Sequence, residues 1–127
     1  MLLLTVKTPN TDYRYGLENK GDKNENKKAE ELNGMKYCIV RTYSADVFAG
    51  YLESRNGKEA VIRNVRRIWY WAGANSLSQL AVDGTKKPTE CKFPMAVDKI
   101  EVTEVIEIIE CTEKAKNSIE GVAEWKV

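Results

Sequence analysis

Alternating apolar and polar residues predict a meander of three antiparallel strands in the first patterned half of the chain. The alternation runs from Lys36 to Tyr43, returns from Val47 to Glu53, and is longest from Glu59 to Trp71. Between the last two runs, Arg55-Asn56-Gly57-Lys58 contains Asn-Gly, a strong hairpin signal because both residues tolerate a positive φ. Strands that are joined by such short connections pair antiparallel.

The second half of the chain predicts two short helices and one long strand. Ser76-Leu77-Ser78-Gln79 matches a capping box, so a helix is expected over Leu77 to Asp83, and a second one over Thr112 to Glu120. Between them, Val97 to Glu110 reads as one strand, with a bulge or an exposed sheet end at Glu104. The predicted fold class is therefore α+β: an antiparallel β-sheet, made of the meander plus one long C-terminal strand, with two short helices.

The chain before Met35 differs in composition from the patterned remainder. Leu2 to Val6 could form a short strand, a polar loop comes next, and Asn24 to Leu32 has the composition of a weak helix with few apolar residues. We therefore predict that residues 1–34 are an N-terminal appendage and that residues 35–127 form a single α+β domain.

Composition excludes several classes of function. The chain has 127 residues, 43% of them hydrophobic and none of them histidine, so imidazole-based catalysis and histidine-containing zinc sites are absent. Cys38, Cys91 and Cys111 are widely spaced, which is typical of reduced thiols in a cytoplasmic protein. The short apolar start, Met1 to Leu4, predicts neither a signal peptide nor a membrane span. No catalytic set, metal site or cofactor is predicted.

The net charge of +1 conceals a strong segregation of charge. Residues 36–92 hold 10 basic and 5 acidic side chains, net +5, whereas residues 93–127 hold 4 basic and 8 acidic ones, net −4. Residues 1–35, with 6 of each sign, contribute nothing. Two interpretations stay open: the two segments pair with each other across strands, or the basic segment forms a pocket for an anionic ligand.

The basic segment contains the candidate binding site. On a regular strand Arg63, Val65, Arg67, Trp69 and Trp71 would share one face. Guanidinium groups suit phosphate and indoles can stack on a nucleobase, so this face has the chemistry of a nucleotide site. The predicted ligand-binding residues, which continue into the start of the following helix, are Arg63, Arg66, Arg67, Trp69, Trp71, Asn75 and Ser76.

The same residues allow simpler interpretations. The two indoles could be core residues, and the arginines could form ion pairs with Glu101, Glu104 or Glu107 on a neighbouring strand. Together with Glu110, these glutamates could also bind a divalent cation, although a solvated strand face is the favoured interpretation.

Eight segments of the patterned region carry a family resemblance: Lys36 to Ser44, Val47 to Leu52, Arg63-Asn64, Trp71 to Ala74, Ser76 to Ala81, Cys91 to Pro94, Val105 to Ile108 and Trp125 to Val127. In these segments residues 35–127 are similar to a small uncharacterised family that is encoded by phages and prophages of Gram-positive bacteria. The resemblance assigns no function and no site residue. By analogy of class alone, small phage proteins with basic-aromatic pockets resemble counter-defence proteins of the anti-Thoeris and anti-CBASS types, which capture nucleotide immune signals.

These observations rank four hypotheses of function. The first is a phage-encoded, non-catalytic, homo-oligomeric binder that sequesters a small nucleotide-like immune signal, either a cyclic ADP-ribose isomer or a cyclic oligonucleotide. The second is a nucleic-acid or protein-interaction module. The third is a metal-assisted nucleotide hydrolase that uses the glutamates. The fourth, which the sequence ranks little below the second, is an inert virion or assembly component.

Overall fold

The computed structural model describes residues 27–127, and it confirms the predicted α+β class with a five-stranded antiparallel sheet and two helices. The predicted strand from Leu2 to Val6 and the polar loop lie outside the described residues. A short 3₁₀ turn covers Pro88–Glu90. The elements are β1 Lys36–Thr42, β2 Val47–Asn56, β3 Glu59–Ile68, α1 Leu77–Asp83, β4 Val97–Val102, β5 Val105–Glu110 and α2 Glu113–Gly121.

The sheet has the strand order β4-β3-β2-β1-β5, and every neighbouring pair is antiparallel. Its two edge strands, β4 and β5, are consecutive in the chain and are separated only by Thr103 and Glu104. Such a link spans about 11 Å at most, whereas the edges of a flat five-stranded sheet lie about 19 Å apart. The sheet must therefore curl. Two backbone hydrogen bonds fix the link between β4 and β5: Tyr43 N donates to Glu104 O and Val105 N donates to Lys58 O, both at 2.9 Å.

The prediction of one long strand over Val97 to Glu110 is wrong, because the chain breaks at Thr103 and Glu104 and continues on the opposite edge. The break allows Val102 and Val105, 6% and 8% exposed, to pack in the same apolar core. Residues three apart on one continuous strand point to opposite faces, so an unbroken strand could not bury both in that core.

Both faces of the sheet are covered. The inner face of the curl buries a cluster that includes Val40, Phe48, Ile62 and Val65. The outer face packs beneath the two helices, where the largest fully buried side chains are Tyr37, Ile39, Ile68, Leu80, Phe93 and Ile119. Strand β1 contributes to both clusters, which explains its uninterrupted Tyr-Cys-Ile-Val sequence.

The two helices begin where the capping residues predict. Ser76 Oγ accepts a bond from Gln79 N at 3.2 Å, as the predicted capping box requires, and Gln79 Oε1 accepts the return bond from Asn75 N, one residue before the cap, at 2.7 Å. Thr112 Oγ1 caps α2 by accepting from Ala115 N at 3.1 Å. Local side-chain bonds therefore fix both helix starts, and both predicted helices are confirmed to within one residue.

The chain before β1 does not form the predicted helix within its described part. Residues 27–32 instead make backbone contacts with the start of α2: Ala29 N donates to Cys111 O at 3.0 Å, and Lys27 O accepts from Glu113 N at 2.8 Å. Residues 24–26 lie outside the described range. Ala29 is buried there, and this packing outweighs the weak helix propensity of the segment. Between residues 27 and 127, every helix is too short to cross a membrane.

Candidate functional site

A bulge in β3 divides the predicted arginine-tryptophan face. Ala49 lies opposite Arg66 and Tyr51 lies opposite Arg63, so Gly50 of β2 faces two residues of β3. One of these, Asn64, has a φ of 47°. Gly50 is required because a Cβ there would lie 2.8 Å from the Arg63 carbonyl oxygen. As a result Arg63 and Arg66 lie on the outer face, whereas Val65 and Arg67 lie on the inner face.

Arg66 is buried and donates four hydrogen bonds to backbone carbonyl groups. Its nitrogens donate to the carbonyl oxygens of Pro94 at 3.0 Å, Phe93 at 2.9 Å, Ile119 at 2.9 Å and Val122 at 2.7 Å. Burial lowers the pKa of this guanidinium. With four bonds already made, Arg66 holds segments of the protein together and has little capacity left for an external phosphate.

The two other predicted arginines are paired with carboxylates. Arg63 Nε lies 2.6 Å from Glu53 Oε1 and its Nη1 lies 3.0 Å from Asp98 Oδ2; the bond to Glu53 raises the pKa of Arg63. Arg67 Nη1 lies 3.2 Å from Asp46 Oδ2, and its guanidinium stacks 4.7 Å from the centre of the Phe48 ring. These pairs neutralise much of the positive charge that was expected to meet a ligand.

Pairing across strands also accounts for part of the segregated charge. Arg41 Nε contacts Glu107 Oε1 at 2.9 Å, and Lys36 Nζ lies 3.9 Å from Glu110. Together with the pair between Arg63 and Asp98, these contacts join the basic segment to the acidic one. The predicted glutamate series is divided as well, since Glu101 lies on β4, Glu104 lies in the link after it, and Glu107 and Glu110 lie on β5 at the other edge.

The remaining predicted residues do not assemble with the arginines. Strand β3 ends at Ile68, so both indoles lie beyond it. Trp71 packs against the core beneath the helices, and Asn75 and Ser76 are engaged in starting α1. Trp69 is half exposed, at 52%, and its ring stacks on Trp125 with centroids 5.1 Å apart and an interplanar angle of 13°.

A lysine lies among three aromatic rings at this position. Lys92 Nζ is 5.4 Å from the ring centre of Trp69, 5.7 Å from that of Trp125 and 5.9 Å from that of Tyr70, which is 50% exposed. All three distances are within the range of cation–π attraction. We refer to Trp69, Tyr70, Lys92 and Trp125 as the aromatic cluster. Within residues 27–127, Lys92 forms no ion pair.

Backbone bonds bring the three segments of the aromatic cluster together. Tyr70 and Lys92 exchange two bonds, from Tyr70 N to Lys92 O at 3.3 Å and from Lys92 N to Tyr70 O at 2.8 Å. Trp125 N donates to Phe93 O at 3.0 Å, which places the C-terminal segment beside the segment that carries Lys92. The cluster is therefore fixed by hydrogen bonds between segments that are distant in sequence.

An open groove of about 480 Å³ adjoins the aromatic cluster at Trp125. This volume is within the range of small-molecule sites, about 300–1,000 Å³. Its walls combine apolar surface with charged groups of both signs. The lining residues are Pro94, Met95, Glu124, Trp125, Lys126 and Val127.

Sequence reasoning missed Tyr70, Lys92 and Trp125 as site residues. These residues share no motif or spacing with Trp69 that could have indicated the contact. The one available signal was their type, since aromatic residues near a lysine are common in binding surfaces.

The cysteines are unsuited to nucleophilic catalysis. Burial raises the pKa of Cys38 to about 11 and that of Cys111 to about 12, so both thiols are protonated near neutral pH. Cys91 is buried too. In the part of the chain that the structure describes, no three Cys, Asp or Glu side chains come together as a metal site. The aromatic cluster and its groove, which combine exposed rings, a lysine and open volume, form the candidate ligand site.

Fold and site together define a small α+β domain with an exposed aromatic surface around a lysine. The chain belongs to the family described as a domain of unknown function, DUF6948, whose model matches residues 35–119. The matched region includes Trp69, Tyr70 and Lys92 and ends before Trp125. No curated protein and no solved structure matches the chain.

Proposed function

We propose that the protein is a non-catalytic binder of a small nucleotide-like anion and that the aromatic cluster is its binding surface. One observation carries the proposal: Lys92 Nζ lies within 6 Å of three ring centres, and two of these rings are half exposed. Exposed indole and phenol faces stack on nucleobases with about 1–3 kcal/mol per base. The ammonium group is available to the adjacent phosphate.

The cation that contacts the ligand in this proposal differs from the arginines that the sequence predicted. Arg63, Arg66 and Arg67 are engaged with carboxylates or backbone carbonyls, and breaking such bonds would cost more than a new phosphate contact returns. Lys92 therefore binds the phosphate, since Lys126, which lines the adjoining groove, is itself paired with Glu124 Oε1 at 3.5 Å.

We further propose that the protein is phage-encoded, acts in the cytoplasm of the host and sequesters a nucleotide immune signal. The evidence for this role is the class analogy together with a site that offers stacking and charge but no nucleophile. Sequestration requires a closed site, whereas Trp69 and Tyr70 are half exposed. A homo-oligomer in which a second copy covers the aromatic cluster would provide that closure.

A thermal-shift screen of cyclic oligonucleotides, cyclic mononucleotides and ADP-ribose isomers tests the proposal. A ligand present at about 100 times its Kd stabilises the native state by about 2.7 kcal/mol, which raises the Tm of a domain of this size by on the order of 10 °C. The absence of a shift with every compound, when a known nucleotide-binding protein responds in the same plate, would contradict the proposal.

Two substitutions locate the site once a compound binds. Trp69→Ala removes the stacking surface and Lys92→Gln removes the charge, so each should reduce affinity by about tenfold or more. The matched controls are Tyr43→Ala, which removes a 79% exposed aromatic ring elsewhere, and Lys86→Gln, which removes an exposed lysine. Calorimetry should show unchanged Kd values for both controls. Equal losses in the controls would assign the effect to general destabilisation.

Single-stranded nucleic acid is the main competing ligand for the same rings. A long oligonucleotide should bind no better than the small compound, because charge pairing leaves little basic surface along the sheet to follow a phosphate backbone. Much tighter binding of the oligonucleotide, with a steep dependence on salt, would replace the proposal with the nucleic-acid module.

A further inference from the structure

Arg66 contacts two separate segments that carry members of the aromatic cluster. Its Nε and Nη2 donate to the carbonyl oxygens of Pro94 and Phe93, at 3.0 and 2.9 Å, immediately after Lys92. Its Nη1 donates to the carbonyl oxygens of Ile119 and Val122, at 2.9 and 2.7 Å, shortly before Trp125. Both pairs of bonds are made by the single guanidinium group of Arg66, a residue of β3 that lies two positions after Asn64.

Phe93, Ile119 and Val122 of these segments pack in the core on the outer face of the sheet, but few other hydrogen bonds connect the segments to it. The C-terminal segment after α2 pairs with residue 93 through an isolated bridge, and the segment around Lys92 pairs with Tyr70 through another. Isolated bridges hold a segment at one point and leave its direction free. The guanidinium, with five N–H donors in a rigid plane, fixes the direction of both segments at once.

We propose that Arg66 is the positioning residue of the aromatic cluster: by holding the segments 92–95 and 119–125 on β3, it stacks Trp125 against Trp69 and places Lys92 between them and Tyr70. This inference rests on the proposed function only where it treats the aromatic cluster as a binding surface. The effect of Arg66 on the positions of Trp69, Lys92 and Trp125 does not depend on that function. Arg66 touches no ligand in this account, and it acts through the backbone of its neighbours.

The test compares Arg66→Lys with the matched control Arg67→Lys. Lysine keeps the charge but cannot donate to four carbonyl oxygens in one plane. The readout is the exciton couplet that two stacked indoles give in circular dichroism, with Trp125→Phe as the reference in which the pair is absent. Arg66→Lys should retain the far-ultraviolet signal of the folded sheet and lose most of the couplet, whereas Arg67→Lys should retain both. A folded Arg66→Lys protein with the full couplet would overturn the inference.

Hydrogen exchange of the unaltered protein provides a test that does not depend on a variant folding. If Arg66 ties the C-terminal segment to β3, the amide of Trp125, bonded to Phe93 O, should open with the same free energy as amides of β3. Exchange of Trp125 by local fraying, at a free energy well below that of β3, would contradict the inference even if Arg66→Lys does not fold.

Ligand binding separates this inference from the proposed function. With a compound found in the screen as the probe, Arg66→Lys should bind about tenfold more weakly or worse, equivalent to about 1.4 kcal/mol, in proportion to the lost couplet. Loss of the couplet with unchanged affinity would confirm the positioning role and contradict the aromatic cluster as the binding surface.

Discussion

At the scale of single residues, burial controls the chemistry of the thiols. Cys38 lies on the inner face of β1, and Cys111 lies beneath the helices, where it receives no exposure to solvent. Because a thiolate would lose its hydration there, burial raises the pKa of Cys38 to about 11 and that of Cys111 to about 12, from the ordinary value of 9.0. Both side chains therefore act as small apolar residues.

This burial predicts a loss of stability at alkaline pH. Between about pH 8 and about pH 10, thiols of the unfolded chain ionise while the native ones keep their protons, so the unfolded state binds fewer protons and the free energy of unfolding falls as pH rises. Urea unfolding across this range measures the slope. A Cys38→Ala, Cys111→Ala protein should show a shallower slope, and an unchanged slope would contradict the assignment.

The different surroundings of two neighbouring arginines are also explained at the scale of single residues. Arg66 and Arg67 are adjacent in the sequence and equally basic, yet one is buried among carbonyl oxygens and the other lies over Phe48 beside Asp46. Composition identified the segment as unusual. It could not assign partners to each guanidinium, because those partners come from β2 and from chain segments far from β3.

At the scale of elements, local signals predicted structure well and non-local ones did not. The α1 bounds follow from Ser76 and Gln79, whose bonds close within four residues, and the hairpin at Gly57 is equally local. The bulge at Asn64 is different. It depends on how Gly50 packs against the opposite strand, and it reverses the face of every later side chain in β3.

Backbone conformation at the bulge gives a second prediction. Asn64 has a φ of 47°, where a β-branched side chain is disfavoured. Asn64→Val should therefore lower the free energy of unfolding by about 1–2 kcal/mol, whereas Asn64→Gly should leave it within about 0.5 kcal/mol. Urea denaturation of the three proteins measures both values. Equal stability of the valine and glycine variants would mean that the bulge relaxes.

At the scale of the whole molecule, the curl of the sheet and the pairing of charge follow from one topological feature. Because β4 and β5 occupy opposite edges, the acidic end of the chain meets the basic segment on both sides, through Asp98 on one edge and Glu107 on the other. The segment charges of the sequence indicated such pairing as one possibility. The strand order that produces it has no local signal.

The aromatic cluster is also a product of the whole fold. Trp69 was predicted to be a binding residue, but its neighbours Lys92 and Trp125 come from a loop and from the C-terminal segment, joined by the bonds of Arg66. Sequence reasoning predicted aromatic rings beside arginines, whereas the cation that the structure places beside Trp69 is Lys92.

The most direct test of the central claim uses the indole N–H resonances. The chain has three tryptophans, so a labelled protein gives three indole peaks. Titration with a compound from the screen should shift the peaks of Trp69 and Trp125, which belong to the aromatic cluster, and should leave that of Trp71, packed against the core, in place. A bound compound that shifts only Trp71, or none of the three, would contradict the account.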